Sequence, residues 1–255
     1  MIVMMLGLQG SGKTACCVRE ICTDASDRIY FSNIMTKGIR NNILIKPDMI
    51  VEKHPIIDAK TGNVLIKKGV PQYNMTVNKD FWKSAEIKYK GLNIIIDEAH
   101  SILNSRRSMS KSVQVILDWI SLLRRVLGST ESGYGRLYLV TQIERRLDIV
   151  PKEMTTQVRF HLCHYRKTCL RCGYYWHENN EYPEPLYECP SCMSTSIKKH
   201  SHIVEIWHFT DYQSFVYWKY LGRRHTYYKH YYVTDIESYF NRYDHLQWDN
   251  LINEI

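Results

Sequence analysis

The sequence predicts an α/β fold with a mostly parallel sheet, and three observations carry that expectation. Apolar, strand-like runs alternate with helix-like segments, the pattern of a parallel sheet covered by helices. One run, Leu92 to Ile96, is wholly apolar, as in a strand covered on both faces. The first run, Ile2 to Leu6, leads into a glycine-rich turn and then a helical segment from about Lys13 to Cys22.

Asp27 to Ile34 (DRIYFSNI) reads as a second strand. Residues 40–75 hold two short β-like runs, ILIKPDMIV and NVLIKKGV, the second preceded by Thr61-Gly62, and read as a hairpin excursion from the core. Val113 to Leu127 has helical period. Only Gln114, Asp118, Ser121 and Arg125 form a polar stripe, so this helix is expected to be largely buried. Arg136 to Thr141 is another apolar strand. Val158 to Tyr165 and His202 to Phe209 read as strands flanking a turn-rich, cysteine-bearing segment, most simply a module hung from an antiparallel pair. Thr234-x-x-Glu237 is a capping box, and Ile236, Phe240, Tyr243 and Leu246 follow at helical spacing, which predicts an acidic C-terminal helix. The expected organisation is a core over 1–160, an insert over 161–200, and a return strand, basic and aromatic segment and final helix over 201–255.

The chain has 255 residues, 44% hydrophobic and 24% charged, which excludes a disordered or fibrous protein. No run approaches the ~20 apolar residues that would cross a bilayer, so direct membrane insertion is not expected. Met1 to Leu6 lacks a basic leader, so an export signal is not expected either. The formal charge of +8 points to an anionic partner, with nucleic acid first. Among eight cysteines, Cys16, Cys17, Cys22 and Cys163 show no pairing pattern and read as small buried hydrophobes of a reducing compartment.

Gly7-Leu8-Gln9-Gly10-Ser11-Gly12-Lys13-Thr14 matches GxxxxGK[ST] between a strand and a helix. Glycines at Gly7, Gly10 and Gly12 let backbone N–H groups, Ser11 included, turn toward phosphates, and the helix N-terminus adds its positive end. Lys13 would contact the β and γ phosphates of ATP, and Thr14 would ligate Mg²⁺. Ile94-Ile95-Ile96-Asp97-Glu98 delivers two acids at a strand's C-terminal edge, where open α/β sheets bind ligands. Asp97 would hold Mg²⁺ through water, and Glu98 would polarise the attacking water as general base. Gln142, ending the next apolar strand, can contact the γ phosphate or that water; a plain strand-end turn is the alternative.

The string Asp97-Glu98-Ala99-His100, then Ser105-Arg106-Arg107, Leu123-Arg124-Arg125 and Leu139-Val140-Thr141-Gln142, resembles the FtsK–HerA superfamily of P-loop ATPases. Within it the sequence is most similar to the zonula occludens toxin-like and filamentous-phage assembly ATPases, over roughly residues 1–160. The resemblance implies a RecA-like core, a homo-oligomeric ring, and DNA pumping or virion DNA export. It carries over Lys13, Thr14, Asp97, Glu98 and Gln142. An arginine finger is expected from Arg106 or Arg107, with Arg124, Arg125, Arg145 and Arg146 as further candidates. The phage assembly proteins carry a transmembrane segment, and no comparable run occurs here.

Cys169-x-x-Cys172 and Cys189-x-x-Cys192, with residues 173–188 between them, have the spacing of a four-cysteine zinc ribbon. With four thiolates no position is left for water, so the Zn²⁺ is expected to be structural. His164, His177 and His200 nearby read as surface residues. The ribbon can grip DNA or dock a protein.

The segment from Ser214 to Tyr232, SFVYWKYLGRRHTYYKHYY, interleaves bases with aromatics. Such a pattern suits a single-strand groove, but rings that cover the sheet with wet polar tips are the favoured reading. Together these features predict a Mg²⁺-dependent ATPase that translocates DNA for packaging or export of a viral or mobile genome. The alternatives are a virion-assembly ATPase acting at a membrane complex through partner proteins, and a nucleotide-dependent protein-binding switch. The expected location is the host-cell interior, including the periphery of a membrane or an assembling virion.

Overall fold

The computed structural model of the chain describes residues 1–26, 28–89, 91–104, 111–127, 135–142, 144–179, 186–223 and 225–244. In chain order the elements are β1 (Ile2–Leu6), α1 (Lys13–Thr23), β2 (Tyr30–Ser32), β3 (Asn42–Leu44), α2 (Pro47–Ile50), β4 (Val51–Pro55), β5 (Ile66–Lys67), β6 (Val70–Pro71), β7 (Tyr73–Val77), α3 (Lys79–Tyr89) and β8 (Asn93–Ile96). They continue with α4 (Ala99–Ile102), α5 (Lys111–Val126), β9 (Leu137–Thr141), α6 (Ile149–Glu153), β10 (Gln157–Cys169), β11 (Tyr175–Asn179), β12 (Ile197–Phe209), α7 (Tyr212–Leu221) and β13 (Tyr227–Val233). Short 3-10 turns occupy Glu144–Arg146 and Ile236–Arg242.

One sheet runs β13-β12-β10-β1-β9-β8-β2-β3, with β11 added to β10. From β10 to β3 every pairing is parallel. The β10, β12 and β13 pairings are antiparallel, as is β10 with β11. The expected α/β class with a mostly parallel sheet is therefore present. β1 lies at the centre, and its alternation splits the core. Ile2, Met4 and Leu6 enter one apolar cluster, with α5 residues such as Ile116, Trp119 and Leu123. Val3 and Met5 enter the other, with Ala15, Cys17, Val18 and Ile21 of α1. On α5 the expected polar stripe of Gln114, Asp118, Ser121 and Arg125 is exposed.

Several expectations need correction. The second strand is only Tyr30–Ser32; Arg28, Ile29, Asn33 and Ile34 lie outside it, and Asp27 is outside the described residues. The excursion over 40–75 is not a single hairpin. Asn42–Leu44 joins the main sheet beside β2. The part that leaves it is the β4–β7 ribbon, tipped by the β5–β6 hairpin. The acidic C-terminal helix is, over the described residues, a 3-10 segment without the capping box. Its would-be capping residue Glu237 accepts hydrogen bonds from the backbone N–H of His202 and from its ring Nδ1, both at 2.7 Å, and is therefore committed elsewhere. Residues 245–255, which complete that expectation, lie outside the described residues.

The aromatic segment splits in two. In α7, Phe215 is fully buried, and Trp218 packs on Phe160, Trp207 and Phe209 at 5.3–5.5 Å between ring centroids. In β13, at the sheet edge, Tyr228 and Tyr232 are exposed. No helix of the described residues is long and apolar enough to cross a membrane.

Candidate functional site

Because β1, β8 and β9 are parallel neighbours, their C-terminal ends meet along one edge of the sheet. The loop from Gly7 to Gly12 leaves β1 there and enters α1. Two glycines are required by space as well as backbone. Gly7 has φ 150°, and a Cβ on it would lie 2.4 Å from the His161 carbonyl oxygen. Gly12 has φ 81°, and its Cβ would meet Val204 Cγ2 at 2.6 Å. The loop is therefore pressed onto β10 and β12.

Lys13, only 7% exposed, donates from Nζ to the Gly7 and Leu8 carbonyls at 2.9 Å and to Ser11 Oγ at 3.2 Å. Burial holds its pKa below the ordinary lysine value, against the pull of Asp97 and Glu98. The Thr14 hydroxyl donates to Asp97 Oδ2 at 2.6 Å. Burial raises the Asp97 pKa above the usual carboxylate range, and burial followed by the Asp97 charge does the same to Glu98. Glu98 also has φ 51°, the left-handed region, which costs a non-glycine residue about 1 kcal/mol or more and is found at functional turns.

Gln142, one residue past β9, points its amide at Glu98, with Nε2 3.3 and 3.4 Å from the two carboxylate oxygens. The structure thus brings together Lys13, Thr14, Asp97, Glu98 and Gln142. They line a cleft of about 420 Å³ with Gly10, Ser11 and Gly12. Thr14 Oγ1 and Asp97 Oδ2, hydrogen-bonded to each other, are hard oxygen groups of the kind that hold Mg²⁺ directly or through water.

Sequence reasoning missed Asn33 and gave His100 no separate role. Asn33 stands just past β2; its Oδ1 accepts from the Asp97 N–H at 2.7 Å and its Nδ2 donates to the Asp97 carbonyl at 2.9 Å. A polar residue ending a strand beside the acid-bearing strand was the available signal. His100 Nδ1 lies 3.2 Å from Glu98 Oε2 and 3.1 Å from Thr141 Oγ1. Burial, then the Arg146 charge, lowers its pKa, which favours the neutral ring. Among the arginine candidates, Arg106 and Arg107 lie outside the described residues, as does the Arg124 side chain. Arg125 is exposed on α5, while Arg145 and Arg146 are exposed in the turn that follows Gln142.

At the far ends of β10 and β12, Cys169, Cys172, Cys189 and Cys192 present sulfurs within 4.8 Å of one another. Cys169 to Cys192 and Cys172 to Cys189 are each 3.6 Å, close to the ~3.8 Å separation of thiolates around a tetrahedral Zn²⁺. Backbone N–H groups of Cys172 and Arg171 point at the Cys169 sulfur and help pull its pKa down to about 6. Trp176 and Ile197 pack against the cluster. The donor set fits zinc. Lys167, which reaches Glu178 at 2.9 Å, sits on the same antiparallel pair.

Residues 1–130 match the family model described as Zonular occludens toxin (Zot). No curated protein matches the chain. Among solved structures, the N-terminal domain of zonular occludens toxin from Neisseria meningitidis has 14% identity and a TM-score of 0.50, covering 95% of this chain and 98% of that one. The genome packaging NTPase B204 from Sulfolobus turreted icosahedral virus 2, in complex with ATP-gammaS, has 18% identity and a TM-score of 0.37, covering 62% and 74%. The DNA-packaging ATPase B204 from Sulfolobus turreted icosahedral virus has 15% identity and a TM-score of 0.36, also covering 62% and 74%.

Proposed function

The chain belongs to the Zonular occludens toxin (Zot) family, as a Zot-like P-loop ATPase, and we propose that it is a motor that hydrolyses ATP to move DNA in packaging or export of a viral or mobile genome. The observation that carries the hydrolytic part is the meeting of Glu98 with Gln142 beside Thr14 and Asp97. Lys13 would release its loop carbonyls to take the β and γ phosphates. Thr14, and Asp97 through water, would hold Mg²⁺, which would supply positive charge to offset that of the phosphates.

Glu98 would accept a proton from the attacking water while Gln142 fixes that water's orientation. Its half-buried setting suits the task, because a carboxylate with a raised pKa is a stronger base. An arginine from a neighbouring subunit, Arg106, Arg107, Arg145 or Arg146, would complete the site in a ring. The four cysteines would hold a structural Zn²⁺ at the tip of β10 and β12, where four sulfurs would fill every tetrahedral position and leave none open to water.

The DNA part rests on the +8 charge and on what the resemblance to the filamentous-phage assembly ATPases implies. The ATPase rate with and without single- and double-stranded DNA tests it, together with particle images of the assembly. Stimulation by DNA and a ring are the expected results. A monomer whose rate ignores DNA would remove the motor and leave a nucleotide-dependent switch.

A further inference from the structure

The cleft does not end at the phosphate loop. Its other wall is built from β12 and the 3-10 segment Ile236–Arg242, far outside the residues matched by the family. Val204 of β12 touches Gly12 closely enough to exclude a Cβ there. His202 lies two residues earlier on the same strand, hence on the same face and beside the loop. Its ring meets Phe240 edge-to-face, 5.3 Å between centroids at 75°. Tyr243, 8% exposed, lines the same cleft.

This wall is anchored by contacts within the chain. Asp235 is held by Arg19 of α1 at 2.9 Å. Glu237 is held by His202. The Arg242 carbonyl accepts from the Lys37 N–H at 2.7 Å, and Tyr243 pairs with Thr36. A site for a triphosphate alone would need only the loop, Lys13 and the acids. This cleft adds three rings, and its volume of about 420 Å³ is in the range of small-molecule sites, roughly 300–1,000 Å³.

We propose that His202, Phe240 and Tyr243 form the nucleobase subsite, so that the chain's C-terminal segment binds the nucleoside half of the nucleotide. The proposal rests on the phosphate-loop reading above. It assigns binding to a part of the chain that carries no nucleotide motif. The physical cause is the π-face of a purine, which stacks on rings and releases water.

Calorimetry on the full chain with ATP and with inorganic triphosphate tests it. Phe240→Ala should weaken ATP binding about tenfold or more, since base–ring stacking is worth roughly that. It should leave inorganic triphosphate binding unchanged, which also reports that the loop is folded. Phe240→Trp should keep ATP affinity. Equal weakening of both ligands in Phe240→Ala would overturn the subsite, as would unchanged ATP affinity. Lys13→Ala should weaken both ligands. If it weakens neither, the phosphate-loop reading fails, and the subsite that rests on it fails too.

Discussion

The side-chain amide of Gln142 faces the carboxylate of Glu98, with Nε2 within 3.4 Å of both oxygens. The two residues stand past the ends of neighbouring parallel strands, so β9 steadies what β8 delivers. Burial raises the Glu98 pKa and the Gln142 hydrogen bond opposes that rise. Gln142→Ala should therefore raise it further. If Glu98 is the base, turnover requires its ionised form, so activity falls as pH drops through this pKa. The acidic limb of the ATPase profile should move to higher pH in Gln142→Ala, with maximal turnover down about tenfold. A profile that keeps its acidic limb in place would separate Gln142 from the Glu98 proton.

The four-cysteine cluster predicts about one zinc per purified chain. Replacing Cys169 and Cys172 together with Ser should release it and unfold the tip of β10 and β12. ATP binding should survive, because the phosphate loop contacts these strands at His161 and Val204, away from the cysteines. Metal analysis and ATP titration of the double variant check both halves. Full zinc occupancy in that variant would place the metal elsewhere.

Arg145 and Arg146 are exposed in the turn that follows Gln142 and can face a neighbouring subunit. A guanidinium supplied in trans to the γ phosphate can be worth ~10³ or more in rate. Inactive subunits carrying Arg145→Ala and Arg146→Ala, mixed with Glu98→Gln subunits, should regain ATPase activity at interfaces that pair an intact base with an intact finger. The same mixing applies to Arg106→Ala and Arg107→Ala. Normal hydrolysis by all four single variants would remove these fingers.

Much of the site was legible because its chemistry is local in sequence. Glycines, Lys13 and Thr14 must be adjacent to wrap a phosphate, and Asp97-Glu98 must follow an apolar strand to reach the sheet edge. The buried face of α5 was legible because Val113, Ile116, Ile120 and Leu123 repeat at helical spacing. α3 was not, because only Trp82 and Ala85 along it are buried, too few to set a period. Its start was signalled by Asn78, whose Oδ1 accepts from the Phe81 N–H at 3.0 Å. α7 was bounded by Asp211, which caps Ser214, and by Gly222 at φ 65°. Its dense aromatics read as rings covering the sheet, and Phe215 and Trp218 do pack onto β10 and β12. The capping box at Thr234 misled because Glu237 has a stronger partner in His202, 35 residues earlier. The aromatic wall of the cleft was invisible for the same reason: His202 and Phe240 meet only where the 3-10 segment packs beside β12.

The most direct measurement is ATP binding and steady-state hydrolysis by Glu98→Gln beside the unaltered chain. The substitution keeps the side chain's size and leaves Lys13, Thr14 and Asp97 in place. ATP affinity should be retained, while turnover falls roughly 10²–10⁴-fold, the range for loss of a general base. Retained affinity with unaltered turnover would contradict the account, because the residue that Gln142 and His100 surround would then play no part in hydrolysis.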